Sequence, residues 1–73
     1  MVWLMERNSD LLVCEIRHAP EGQAYEFEVA SRSGVPETRQ YTSARELIEE
    51  YLRTQTTLQA QGWRPKATEV ASL

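Results

Sequence analysis

One cysteine, Cys14, and one histidine, His18, are all that this 73-residue chain holds of either type. An internal disulfide and a Cys/His zinc site are thereby excluded, together with most nucleophile–base dyads. Glycine is scarce too: Gly22, Gly34 and Gly62 stand far apart, so no glycine-rich loop cradles a phosphate. No window approaches the roughly 18 consecutive apolar residues that span a bilayer. The start, Met1 to Arg7, lacks the basic lead and long apolar run of a signal peptide. A cytoplasmic chain without membrane contact is expected. Positive charge is also short, with eight basic side chains against eleven acidic ones and a net charge of −3. Residues 1–43 hold only Arg7, Arg17, Arg32 and Arg39 against seven acidic groups. Strong polyanion binding needs a positive surface that releases counterions, so this balance disfavours nucleic acid as a partner.

The length allows one domain. Ordering costs about 1.5 kcal/mol per residue and burial returns about 25 cal/mol per Å², so a chain this short finishes near zero unless something adds to it. Disulfide and metal staples are ruled out by composition. What remains is sound turn and cap chemistry, plus burial against a second copy or another protein.

Ser43-Ala44-Arg45-Glu46 is the most specific local signal: its spacing predicts a capping box, in which the Ser hydroxyl can accept from the amide at Glu46 while that carboxylate can reach back to the amide of Ser43. From there Ala44, Leu47, Ile48, Tyr51, Leu52, Gln55 and Leu58 recur at the three-and-four spacing of one helix face, with Gln55 its single polar interruption. Gly62 suits the left-handed position after the last turn and Pro65 forbids continuation, which predicts a helix from Ala44 to Gln61. Glu49 can pair with Arg53 four residues on.

Upstream the period is two. Leu11 to Ala19 and Ala24 to Ser33 flank Pro20-Glu21-Gly22-Gln23 and predict a hairpin. Setting Ala19 against Ala24 places Leu12, Cys14, Ile16, Tyr25, Phe27 and Val29 on one side, and Arg17 against Glu26 with Glu15 against Glu28 on the other. That last pair is like-charged and needs Arg17 or Arg32 to lean across. A turn at Asn8-Ser9 adds Val2 to Arg7 as a strand, with Trp3 opposite Cys14 and Met5 opposite Leu12. Gly34 to Glu37 turns the chain into a short strand over Thr38 to Thr42, with Tyr41 inward. The predicted fold is α+β: an antiparallel sheet of three to four strands with one C-terminal amphipathic helix on one face. Residues 1–63 form the domain, and 64–73 a mobile tail.

Candidate chemistry is sparse. Cys14 and His18 lie roughly 13 Å apart along a strand, beyond hydrogen-bond reach; Cys14 is read as a small buried hydrophobe and His18 as a strand-end neighbour of Tyr25. Glu15, Glu26 and Glu28 cluster on the outer side, but no Asp, Asn or His completes a ligand set, so they are read as a solvated face. No catalytic, cofactor-binding or metal-binding residue is assigned. A nucleic-acid alternative would use Arg17, Arg32, Arg39, Arg64 and Lys66. In its outline of three strands then a helix, the chain is similar to AP2-type and integrase arm-binding DNA domains and to small sheet-and-helix antitoxins. AP2-like domains read DNA with basic and aromatic residues on the sheet, where this chain shows Glu15, Glu26 and Glu28 beside Arg17. No functional residue is carried over from that resemblance.

The strand phase also turns Val2, Leu4, Leu11 and Val13 outward together, on the face without the helix. Four aliphatic side chains there call for cover. The candidates are the tail with Val70, Ala71 and Leu73, a second copy about a two-fold axis, or another protein, and the second copy gains most for a small domain without staples. A weaker surface is the uncharged outer side of the helix, Thr54, Thr56, Thr57, Gln59 and Gln61. The expected function is that of a non-catalytic interaction module.

Overall fold

A computed structural model describes residues 1–66. Val2–Arg7 (β1) and Asp10–His18 (β2) meet across Asn8-Ser9, where Asn8 takes a φ of 57°, a left-handed conformation that asparagine tolerates better than most residues. Trp3 faces Cys14, Leu4 faces Val13 and Met5 faces Leu12. Tyr25–Ser31 (β3) pairs with β2 so that Cys14 faces Val29, Ile16 faces Phe27 and His18 faces Tyr25. Both registers are those the sequence pattern predicts. Glu37–Tyr41 (β4) pairs with β3, and the helix Ala44–Ala60 (α1) follows. The architecture is α+β, an antiparallel sheet with a single helix packed after it.

Arg64–Pro65, which the pattern left beyond the domain, forms a short fifth strand (β5) against β1, giving the order β4-β3-β2-β1-β5. Proline fits there because hydrogen-bonded and non-bonded pairs alternate along an antiparallel ladder. Lys66 donates its N–H to the Leu4 carbonyl at 2.9 Å. Pro65, opposite Met5, therefore falls at a non-bonded position where its missing N–H is not needed. The proposed cover Val70, Ala71 and Leu73 lies outside the described residues. Among the described residues no helix is long and apolar enough to cross a membrane.

Local chemistry sets both ends of α1. The Ser43 hydroxyl accepts from the amides of Arg45 and Glu46 at 3.2 and 3.4 Å. At the other end Gln61 caps the helix, one residue short of the predicted limit, and Gly62 adopts a φ of 96°. Trp63 donates its N–H to Leu58 at 2.9 Å and Gly62 to Gln59 at 3.0 Å, the paired bonds of a Schellman motif. Replacing Gly62 by Ala forces a side chain into the left-handed region and sets its Cβ 3.4 Å from Arg7 Cδ. The expected loss is about 1–2 kcal/mol, read as a lower urea midpoint at unchanged slope.

Met5, Leu12, Cys14, Leu58 and Trp63 form the core, with Trp3 and Val29 packed against it. Trp3 meets Tyr51 edge-on at 5.3 Å and donates its indole N–H to Gln55 Oε1 at 3.2 Å. The polar interruption of the helix face is thus the partner of a half-buried indole. That contact also fixes the rotation of α1. Leu47 and Leu58 are buried and Tyr51 half-buried, whereas Ile48 and Leu52, predicted to face the sheet, are 56% and 57% exposed. The ion pairs shift as well: Arg53 takes Glu50, and Glu49 takes Arg45 at 3.6 Å.

Candidate interaction surface

Side chains alternate across a pleated strand, so the register fixes what the face away from α1 presents. One row crosses the sheet as Leu4, Val13 and Ala30; another as Val2, Glu15, Glu28 and Thr38. Leu11 stands opposite Glu6, and Glu6 opposite Arg64. Val2 is 60% and Val13 40% exposed, with Leu4, Leu11 and Ala30 half-buried. The four predicted patch residues are therefore neighbours on the open face, and Ala30 extends them. The sequence carried that signal: once Cys14 faces Val29, Val13 must face Ala30.

Charged groups flank this strip on two sides. Arg17 bonds Glu26 through Nε at 2.9 Å, Glu28 through Nη2 at 2.9 Å and Glu15 through Nη1 at 3.1 Å. It is the cation that the facing Glu15–Glu28 pair required. Its hydrogen bond to Glu28, with further help from Glu26, holds the guanidinium above its ordinary pKa despite partial desolvation. Gln40 donates to Glu26 at 3.0 Å and Thr38 to Glu28 at 3.3 Å. One guanidinium against three carboxylates leaves this corner negative. Across the strip, Arg64 of β5 and Lys66 just after it line the edge, with Lys66 Nζ 3.6 Å from Glu6 Oε1, so that edge is positive.

Compared with family models, curated proteins and solved structures, the chain matches none. What the surface can do must come from its own geometry.

The basic residues of the nucleic-acid alternative are not brought together. Arg17 is held among carboxylates, and Arg32 is exposed between β3 and β4. Arg39 lies on the helix side of β4, lining a cleft of about 200 Å³ with Phe27, Val29, Tyr41 and Leu58. Arg64 and Lys66 sit by the opposite edge of the sheet. This cleft between β4 and α1 was not anticipated, because it depends on the rotation of the helix. Among the described residues no group of three or more His, Cys, Asp or Glu could hold a metal. His18 stacks on Tyr25 with centroids 4.8 Å apart.

Cys14 has no exposed surface, and burial pushes its thiol from an ordinary value near 9 to about 11. The folded form keeps its proton where the unfolded chain has lost it. The associated stability is whole below pH 9 and falls as pH rises toward 11, by about 2–3 kcal/mol in all. Urea melts at stepped pH are expected to show this alkaline slope, and Cys14→Ala to flatten it. An unchanged slope would show that the thiol is not its source.

Proposed function

We propose that this chain is a non-catalytic protein-interaction module that self-associates through the sheet face its helix leaves open. The observation that carries the reading is the contiguous aliphatic row Leu4–Val13–Ala30 with Val2 and Leu11 on either side. That is more grouped apolar surface than scattered single residues provide.

A two-fold contact sets one face against itself, so every group needs its complement on the same face. The acidic corner at Glu15, Glu26 and Glu28 and the basic edge at Arg64 and Lys66 lie on opposite flanks of the strip. A two-fold axis in the plane of contact, passing between those flanks, lays each acidic corner over the other copy's basic edge. The strands then cross steeply, in the manner of orthogonally packed sheets. Chain size favours the same reading, since burial against a copy stabilises a small core without staples. The scattering of the basic side chains gives the nucleic-acid alternative less support.

Light scattering or sedimentation equilibrium at micromolar concentration tests the proposal. A mass at least twice the 8.4 kDa of one chain is expected, and a chain that stays at 8.4 kDa removes the self-association reading.

A further inference from the structure

Besides its open face, the sheet has an edge at β4 that pairs with no other strand among the described residues. The hydrogen-bond alternation decides what that edge offers. Ala19 donates its N–H to the Ala24 carbonyl at 2.9 Å, so along β3 the amides of residues 24, 26, 28 and 30 turn toward β2, and those of Tyr25, Phe27 and Val29 toward β4. Their partners Tyr41, Arg39 and Glu37 direct their own N–H and C=O back at β3. Thr38 and Gln40 therefore point theirs outward, and Pro36, next in that series, has a carbonyl but no N–H. Side chains alternate with the same period of two: Glu37, Arg39 and Tyr41 stand on the helix side and line the cleft, and Val35 lines its continuation.

We propose that β4 pairs antiparallel with β4 of a second copy about a two-fold axis through Thr38, joining the two sheets edge to edge with both helices on one side. Outward amides pair only with outward amides, so residues of equal parity face one another and the axis must pass through a residue. At Thr38 the segment is complementary to itself. Glu37 meets Arg39 of the second copy, Arg39 meets its Glu37, and Val35 meets its Tyr41. Thr38 exchanges both backbone bonds with its counterpart, and each Gln40 N–H donates to the other copy's Pro36 carbonyl. Moving the axis to Glu37 or Arg39 sets like charges directly opposite, which opposes pairing; moving it to Gln40 leaves the charges unmatched.

Charged residues on an edge strand ordinarily keep it single. Here the two charges are opposite in sign and two residues apart, so self-pairing matches them. Neither Glu37 nor Arg39 has an ion-pair partner among the described residues. This contact uses the sheet edge, not the open face, and stands or fails separately from the proposal above.

The test is amide hydrogen exchange at Thr38 and Gln40, whose N–H groups face solvent in the monomer and are bonded in the pair. In the wild type at associating concentration both are expected to exchange at least about tenfold more slowly than in Glu37→Arg or Arg39→Glu, each of which opposes like charges across the axis. An equimolar mixture of the two variants restores opposite charges at both positions and is expected to restore the protection. The exchanged positions are exposed in the monomer, and circular dichroism confirms that each variant is folded. Amides that exchange as fast in the wild type as in the variants, or a mixture that regains nothing, overturn the inference.

Discussion

Trp63→Ala is expected to remove about 3–5 kcal/mol from a protein whose whole stability is about 4–11 kcal/mol at this length. Three contacts fail together. The indole is buried among Met5, Leu12, Cys14 and Leu58. At the helix end the ring packs with Leu58, the contact that accompanies the Schellman turn closed by the backbone bond from the Trp63 N–H to the Leu58 carbonyl. It also lies under the Arg7 guanidinium, 4.5 Å from the ring centroid, while that guanidinium donates to the Gln61 carbonyl at 3.0 Å. One side chain thereby ties the end of α1 to β1 and aligns β5 on the sheet edge. Urea melts at fixed protein concentration, followed by circular dichroism, give the comparison, and Trp63→Phe is expected to retain most of the stability. A loss below about 1 kcal/mol would show that the ring is not part of the core.

Strand phase was legible in this sequence because two short turns pin it. With two residues between Arg7 and Asp10, Trp3 must face Cys14, and a one-residue slip would exchange the two faces of β1 entirely. The same register exposed the Glu15–Glu28 conflict and named Arg17 as the group able to relieve it. Caps were legible for a comparable reason: Ser43 and Gly62 act through neighbours in sequence. The rotation of α1 was not. Leu47, Ile48, Tyr51 and Leu52 make a stripe wider than the sheet can cover, and the choice within it falls to Trp3, whose N–H takes Gln55 and thereby turns Ile48 and Leu52 outward. β5 escaped notice because Pro65 is a helix stop by any local reading. Only the bonding phase of β1 shows that a proline fits opposite Met5. For the candidate site, the aliphatic patch follows from alternation within each strand, whereas the β4–α1 cleft needs the three-dimensional position of the helix.

Leu4→Glu and Val13→Lys, each made alone, are expected to weaken self-association at least about a hundredfold, since each would bury an unpaired charge at the centre of the contact. The fold is expected to survive, because Val13 is 40% exposed and Leu4 half-buried in the single chain and neither belongs to the core. The double variant sharpens the distinction. Leu4 and Val13 are directly opposed across β1 and β2, so glutamate at one and lysine at the other form a cross-strand ion pair that supports the sheet. Yet the pair sits in the middle of an apolar contact, where desolvating both charges opposes docking. Sedimentation equilibrium is expected to report a folded chain that associates far more weakly than wild type. Unfolding of all three variants would mean that these side chains are interior and the face is not free. Undiminished association would move the contact elsewhere on the molecule, with the β4 edge the surface to examine first, since charge reversal at Glu37 leaves the aliphatic strip intact.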